Sequence, residues 1–304
     1  MKRVISILTV LATLTPWNGW AGNLNSYSQK LEMIGEHETS LLIAPSFTSY
    51  SETSIGKYSG NHFTHNVSEQ NNVIKFEKGI NSLSSIGIGT VIGSKTSDRS
   101  NGIEKGKYNY SGLGDLTFTY KTLKNYELNN IILGADMNIS INEHEIASTT
   151  TAGNYASGGH SLRPFIGYEA KKEDFVVGGL FAYHIFGEKV SFFKSNNTTT
   201  KVFETGGNTL EVSGFVEREY SRYSIGALAG VELQGAKNKK DEERYIEESR
   251  NYLVGNIYSK INFNEDLSLS PSLRYRTLMA NRVDNREIST NRNMELFLGL
   301  NVNL

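Results

Sequence analysis

The sequence predicts an all-β protein, a transmembrane antiparallel up-and-down β-barrel of about 12 strands with short periplasmic turns and long extracellular loops. Three observations predict this fold class. The chain opens with an export signal, it then repeats segments of about ten residues in which apolar and polar residues alternate, and the connections between these segments are alternately short and long.

The N-terminus has the three parts of a secretory signal peptide. Lys2 and Arg3 form a basic start, an apolar run covers residues 4–14, and small residues lead up to Ala21. The apolar run is too short to span a bilayer as a helix. We therefore predict a signal peptide over residues 1–21 that is removed on export.

Composition excludes several classes of protein. The chain has no Cys, which excludes attachment through a lipobox cysteine, disulfides, thiolate metal sites and a cysteine nucleophile. Loss of residues 1–21 removes two of the 31 Lys and Arg and none of the 32 Asp and Glu. The mature chain is therefore weakly acidic, and we expect no nucleic acid among its partners. No apolar stretch after Leu14 approaches the roughly 18 residues that a transmembrane helix needs.

The last segment of the chain shows the alternation most clearly. Its apolar residues share one face of an extended strand, while polar residues occupy the other. The apolar residues are Leu296, Leu298, Leu300, Val302 and Leu304. Such a strand can place one face against lipid and the other against water. A soluble sandwich alternates too, so the connections must decide between the two folds.

Twelve segments follow this pattern, an even number as in bacterial barrels. They lie near Glu38–Tyr50, Asn72–Lys78, Leu83–Gly93, Gly114–Thr122, Asn130–Asn142, His160–Glu169, Asp174–Phe186, Thr209–Tyr220, Arg222–Gln234, Asn251–Asn262, Asp266–Thr277 and Asn293–Leu304. Short connections such as 79–82 alternate without exception with long polar ones such as 51–71. Greek keys give no reason for this order, whereas outer-membrane barrels have tight periplasmic turns and long external loops.

The predicted barrel domain covers residues 38–304. The residues before it, 22–37, form either a periplasmic extension or a plug that enters the lumen, and the sequence leaves both open. Pro45, Pro164 and Pro271 each fall inside a predicted strand on the lipid face. Because proline cannot donate to the ladder, we expect a bulge or a strand end at each.

Residues Ser111 to Phe118 read Ser-Gly-Leu-Gly-Asp-Leu-Thr-Phe. This segment resembles the Gly-Leu-Gly-Asp-Leu strand opening of an outer-membrane transporter family of the phenol-degradation meta-pathway. The turn Asn264–Leu267 into a late strand is also similar to that group. The resemblance implies a barrel that passes hydrophobic or aromatic solutes. The Pro-Thr-Gly that usually ends the family's next strand is absent from Ala135–Glu145.

The C-terminus resembles the assembly signal that the barrel-assembly machinery recognises. Gly299, Val302 and Leu304 occupy the characteristic positions of a glycine followed by alternating apolar residues. The last residue is Leu, where an aromatic residue is commoner.

The predicted inward faces carry charges of both signs. The candidate pore-lining residues are Arg274, Arg276, Lys260, Glu211, Glu217, Glu232, Asp136 and Arg163. Opposite charges on facing walls would set up a transverse field in a constriction, and we expect Arg274 and Arg276 to face Glu217 and Glu232. The alternative is that the charges pair with one another and fill a narrow barrel.

These features favour an outer-membrane channel for passive diffusion of small solutes through a polar lumen. We expect membrane lipid, the assembly machinery and small solutes as partners, and no cofactor or metal. We interpret the close pair His62 and His65 as part of a polar surface loop and not as a metal site. A structural or adhesive barrel, acting through loops such as 237–250, stays open. So does an acyl hydrolase, although His160 and Ser161 are adjacent and point to opposite faces of a strand, which prevents a direct nucleophile and base pair.

Overall fold

The structure, a computed structural model, describes residues 31, 33–56, 60–100, 105–126, 129–142, 144–146, 152–195, 198–240, 244–279, 282–283 and 286–304. The signal peptide and the first part of the predicted extension lie outside these residues. Eighteen strands form within them: β1 (Thr39–Gly56), β2 (His62–Asn81), β3 (Ser84–Ser100), β4 (Lys105–Tyr126), β5 (Asn129–Ile139), β6 (His144–Ile146), β7 (Gly153–Asn154), β8 (Gly159–Lys172), β9 (Phe175–Ser195), β10 (Thr198–Gly206), β11 (Thr209–Glu219), β12 (Tyr223–Gln234), β13 (Lys237–Lys240), β14 (Arg244–Glu247), β15 (Arg250–Asn262), β16 (Leu267–Leu278), β17 (Arg282–Val283) and β18 (Arg286–Asn303).

Twelve of these strands close into an antiparallel barrel. The order around the wall is β1, β2, β3, β4, β5, β8, β9, β11, β12, β15, β16 and β18, and each strand pairs with the next. β18 then pairs with β1, with Val302 opposite Leu41, so the sheet has no open edge. The predicted all-β fold, a closed antiparallel barrel of twelve strands, is confirmed.

A belt of large apolar side chains surrounds the barrel. On β3, the side chains of Ile86, Ile88 and Ile92 are 49%, 46% and 47% exposed. Exposure of so much apolar surface is unfavourable in water but favourable against lipid. Beyond the belt the outward positions of β2 and β3 become polar, as at Gln70 and Ser94. The described residues contain no helix that is long and apolar enough to cross a membrane.

The barrel wall continues outside this belt into segments that we predicted to be loops. Residues 51–56, 62–71, 94–100, 105–113 and 187–195 are strand, so the predicted loop boundaries there are wrong, and His62 and His65 lie on β2. The reason is physical. Above the membrane both faces of a strand are wet, so backbone pairing persists where the apolar alternation that marks a strand has ended.

The three prolines do not bulge or end their strands, which corrects a prediction. Pro45 pairs with Asn72 on one side, and on the other side the register between β1 and β18 is the same before and after it. Pro164 and Pro271 behave in the same way. A proline removes one donor on one side of a strand, and the many remaining bonds of the ladder hold the register. A shift in register does occur in β3, between Thr90 and Ile92.

The connection between β5 and β8 fills a gap in the wall. β5 is short, whereas β4 and β9 continue further out on either side. Within the connection, β7 pairs in parallel with β4 and β6 pairs in parallel with β9. This segment, described over residues 140–142, 144–146 and 152–158, is called the inner connection below.

Side chains fill the half of the barrel that contains the ends Thr39 and Asn303, which we call the terminal half. One apolar cluster consists of Leu31, Ile132, Phe165, Leu180, Ala182, Phe215 and Tyr258. A second consists of Leu42, Ala44, Val73 and Phe297. Leu31 belongs to the segment before β1 and is only 2% exposed. Gly167 makes room for it, because a Cβ on Gly167 would lie 2.4 Å from Leu31 Cδ2.

The segment before β1 is also held by its backbone at the barrel end. Glu36 forms a bridge with Gly79, and the Gly79 amide donates to the Glu38 carbonyl at 3.0 Å. A Cβ on Gly79 would lie 2.0 Å from the Gly35 carbonyl oxygen, so only glycine permits this approach.

Candidate solute pathway in the barrel lumen

The other half of the barrel, which we call the distal half, encloses a cavity of about 1780 Å³. Its lining comes from inward-facing residues of all twelve barrel strands and from the inner connection. At its floor lie Thr48, Lys75, Asp136, Phe165 and Glu295. The apolar clusters of the terminal half begin directly beneath this level, since Phe165 and Ala182 belong to both.

Six of the eight predicted pore-lining residues meet at the floor of this cavity in two ion-pair clusters. In the first, Arg163 binds Asp136 at 3.2 Å and Glu211 at 2.6 Å. Arg163 is only 2% exposed, so both carboxylates are needed to offset the loss of its hydration.

The second cluster holds the two predicted arginines. Arg274 pairs with Glu232, and Arg276 lies 2.8 Å from the other carboxylate oxygen of Glu232. The Arg276 guanidinium also stacks on the Tyr252 ring, with Cζ 3.6 Å from the ring centroid. Ion pairs and ring stacking therefore hold the charged groups of the cavity floor in place where they line the cavity.

The two remaining candidates lie elsewhere. Glu217 faces Gly226, and Lys260 faces Ser224, close to the turns of the terminal half. Neither lines the distal cavity. The expectation that the two arginines face Glu217 as well as Glu232 is corrected in this respect, because both pair with Glu232 while Glu217 lies near the turns of the terminal half. Strand alternation gives the face of a residue correctly, but not its height in the barrel relative to a distant strand.

The proposed assembly residues lie at the closing seam of the barrel. Val302 pairs with Leu41 and with Leu267, and the Leu304 amide donates to the Thr39 carbonyl at 2.7 Å. Gly299 lies opposite Ser270. Their role as a signal for the assembly machinery stays a prediction.

The Gly-Leu-Gly-Asp-Leu segment contacts the inner connection and holds it against the barrel wall. Gly112 has a φ of 124°, which favours glycine, and Gly114 leaves its inner face free for Tyr155, whose Cδ1 would lie 3.3 Å from an added Cβ. Asp115 Oδ1 accepts a hydrogen bond from the Ser157 amide at 3.1 Å. The Tyr155 hydroxyl in turn donates to Glu69. Tyr155 and Glu69 are lumen residues that the sequence did not predict, because both fall in segments that were predicted to be external loops.

A further polar cluster lies outside the apolar belt on β1. The Tyr50 hydroxyl donates to Glu52, which also accepts from Asn291 Nδ2 at 2.8 Å and contacts Arg250 at 3.5 Å. Burial, together with the charge of Glu52, raises the pKa of Tyr50. The hydroxyl therefore stays protonated and acts as a donor.

One contact bears on the hydrolase alternative. Ser161 Oγ lies 2.9 Å from His184 Nε2, on the neighbouring strand, and also accepts from Asn138 Nδ2 at 3.1 Å. The His184 ring packs on Phe186, with centroids 4.0 Å apart. From the sequence we considered Ser161 only with its neighbour His160, because His184 is distant in the sequence. Within the described ranges, no group of three or more His, Cys, Asp or Glu could hold a metal ion.

Comparison with known proteins extends the description of the fold. No protein-family model and no curated protein matches the sequence. The structure of an outer membrane channel from Pseudomonas putida F1 is similar at 11% identity and a TM-score of 0.65, over 93% of this chain and 100% of that chain. At a TM-score of 0.48, the translocator domain of autotransporter NalP from Neisseria meningitidis matches at 10% identity over 99% of this chain and 97% of its own. The barrel of this protein is closed, carries a lipid-facing apolar belt and shares its fold with the Pseudomonas putida channel. The protein is therefore an outer-membrane β-barrel.

Proposed function

We propose that the protein is an outer-membrane channel for passive diffusion of small solutes. The observation that carries this proposal is the distal cavity, a space of about 1780 Å³ that the barrel wall surrounds and that ion-paired side chains line in part. A purely structural barrel has no need of such a space. The Pseudomonas putida protein of similar fold is itself named a channel, which supports the same function.

The lining favours polar solutes. Charged side chains such as Arg163, Arg274 and Glu232 stand in the path, and crossing solutes exchange water for these groups. The resemblance at Gly112–Asp115 adds hydrophobic or aromatic solutes as a second proposed class.

The test is single-channel conductance of the purified barrel in a planar bilayer. We expect discrete conductance steps, and in liposomes we expect uptake of small polar solutes that empty liposomes exclude. A folded barrel with no conductance at any voltage would contradict the proposal. A heat-dependent shift in gel mobility establishes in each case that the barrel is folded.

A hydrolase is the second candidate, because the Ser161 and His184 pair has the spacing of a nucleophile and its base. Labelling by a fluorophosphonate probe, lost in Ser161→Ala and kept in the matched variant Ser140→Ala, would support it. Absence of labelling in the native barrel would eliminate it.

A further inference from the structure

A groove crosses the lipid-facing surface of the barrel over β2, β3, β4 and β5, and we call it the outer groove. Two rows of outward side chains line it, and within each row the members lie directly opposite one another on neighbouring strands. The first row is Phe76, Ile88, Phe118 and Met137, and the second, nearer the terminal end, is Lys78, Ile86, Tyr120 and Ala135. The volume of the groove is about 580 Å³. The outer groove is part of the apolar belt and opens toward the bilayer.

The shape and chemistry of the outer groove suit a hydrocarbon chain. Most of its side chains are apolar or aromatic, so lipid is the favourable medium around them. Ala135 is much smaller than Tyr120, which lies opposite it, and than Met137, the next outward residue of β5. The small side chain therefore leaves space at this end of the second row. An acyl chain makes more contacts in such a space than it makes on a flat wall.

Lys78 lies at the other end of the second row, where it is an exposed cation among apolar lipid-facing side chains. Phe76 and Ile80 are its exposed neighbours along β2, and Ile86 lies opposite it on β3. An ammonium group beside hydrocarbon is unfavourable unless its stem carries it to the interface or an anion pairs with it. Because β2 ends three residues after Lys78, the long side chain can reach the lipid headgroups.

The two acids beside Lys78 are directed away from the outer groove. Glu77, the preceding residue of β2, faces the lumen and binds Lys75 Nζ at 2.7 Å. Glu38 comes directly before β1, the strand that pairs with β2 on its other side. Its carboxylate lies beside Gly35, where Oε2 would be 2.5 Å from an added Cβ. On the lipid face, the charge of Lys78 is therefore available to an anion from the membrane.

We propose that the outer groove binds an anionic phospholipid, with one acyl chain in the groove and the phosphate on the Lys78 ammonium. The groove is continuous with the apolar belt, so a lipid enters it directly from the bilayer. The positive charge of Lys78 complements the phosphate at the headgroup level. This partner binds the outer wall of the barrel, so the proposal does not depend on conduction through the lumen.

Fluorescence quenching by brominated lipid tests the proposal. The native Trp residues, Trp17 and Trp20, both lie in the predicted signal peptide, so Met137→Trp places a single fluorophore at the groove in the mature barrel. The barrel is reconstituted in phosphatidylcholine vesicles that contain brominated phosphatidylglycerol, and quenching gives the binding constant of this lipid relative to phosphatidylcholine. We expect about a fivefold preference for phosphatidylglycerol, the effect of one lysine at a membrane surface.

Two further substitutions in the Met137→Trp barrel separate the charge from the groove. Lys78→Gln should lower the relative binding constant to about one, whereas Lys78→Arg should keep the preference because it keeps the charge. Ala135→Phe should reduce the preference while Lys78 is present, because the larger side chain fills the space for the acyl chain. A heat-dependent shift in gel mobility checks the folding of each variant, and Lys78→Met replaces Lys78→Gln if that variant does not fold.

The matched control is Leu273→Trp on β16, because Leu273 and Met137 are both 43% exposed on the lipid face. Its neighbours across the ladder are Ile257 and Leu296, so no cation lies directly opposite it. We expect a relative binding constant of about one at this position. An equal preference at both positions, or an unchanged preference in Lys78→Gln, would overturn the proposal. Weaker quenching of Met137→Trp than of Leu273→Trp by both lipids would also overturn it, since a second copy of the chain would then cover the groove.

Discussion

Single residues decide how charge is kept inside this barrel. Arg163 reaches Glu211 across β9, where Ala182 pairs with Glu211 and has a side chain too short to separate them. Arg274 reaches Glu232 across β15 in a similar way. Burying either arginine without a carboxylate would cost several kcal/mol, so each charge is placed with its partner.

Replacing Arg274 and Arg276 together by Gln should shift ion selectivity toward cations. The change removes two positive charges and leaves Glu232 without the two cations that contact it, and a fixed charge in a low-dielectric wall attracts its counter-ions. The measurement is the reversal potential in a salt gradient. Lys171→Gln, on a rim side chain that is 58% exposed, should leave it unchanged. An unaltered reversal potential in the double variant would place these arginines outside the conduction path.

At the scale of elements, two segments that are not barrel strands shape the lumen. The inner connection completes the distal wall through β6 and β7 and is seated on Gly112–Asp115. The segment before β1 enters the terminal half and places Leu31 in its apolar cluster. We propose that this second segment is a plug, which would close the path from the cavity floor to the terminal end.

Leu31→Ala should raise the fraction of time that the channel is open. The substitution removes a side chain that is 2% exposed, and loss of such a buried leucine costs about 2–5 kcal/mol. If the segment is a plug, this cost weakens its closed position. Single-channel recording measures the open fraction. Leu83→Ala, at a residue that is 49% exposed, serves as the control. Equal open fractions in native protein and Leu31→Ala would contradict the plug.

At the scale of the whole molecule, closure of the sheet and the apolar belt define the relation to the membrane. Arg218 lies over the rings of Phe175 and Tyr220, at 5.2 and 5.1 Å, near the turns of the terminal half. Aromatic residues beside a cation are typical of a membrane interface, so this rim lies at the lipid headgroups.

We predict that the terminal end is periplasmic. Asn238→Cys on β13 should then be labelled on intact cells by an impermeant thiol reagent, whereas Glu265→Cys, in the turn before β16, should be protected. The native chain has no Cys, so each label reports one site. Labelling of Glu265→Cys with protection of Asn238→Cys would show the inverted orientation.

Local patterns in the sequence predict the barrel, its twelve strands and the faces of the residues within those strands. Leu296, Leu298 and Leu300 had to face lipid and Glu295 the lumen, because adjacent residues of a strand point to opposite sides. The contacts between side chains of different strands follow from the three-dimensional fold and not from these patterns. Arg276 with Glu232, Ser161 with His184 and Leu31 with Gly167 depend on the register and height of strands that are distant in sequence. Those quantities are set by the closure of the whole sheet, which no local pattern contains.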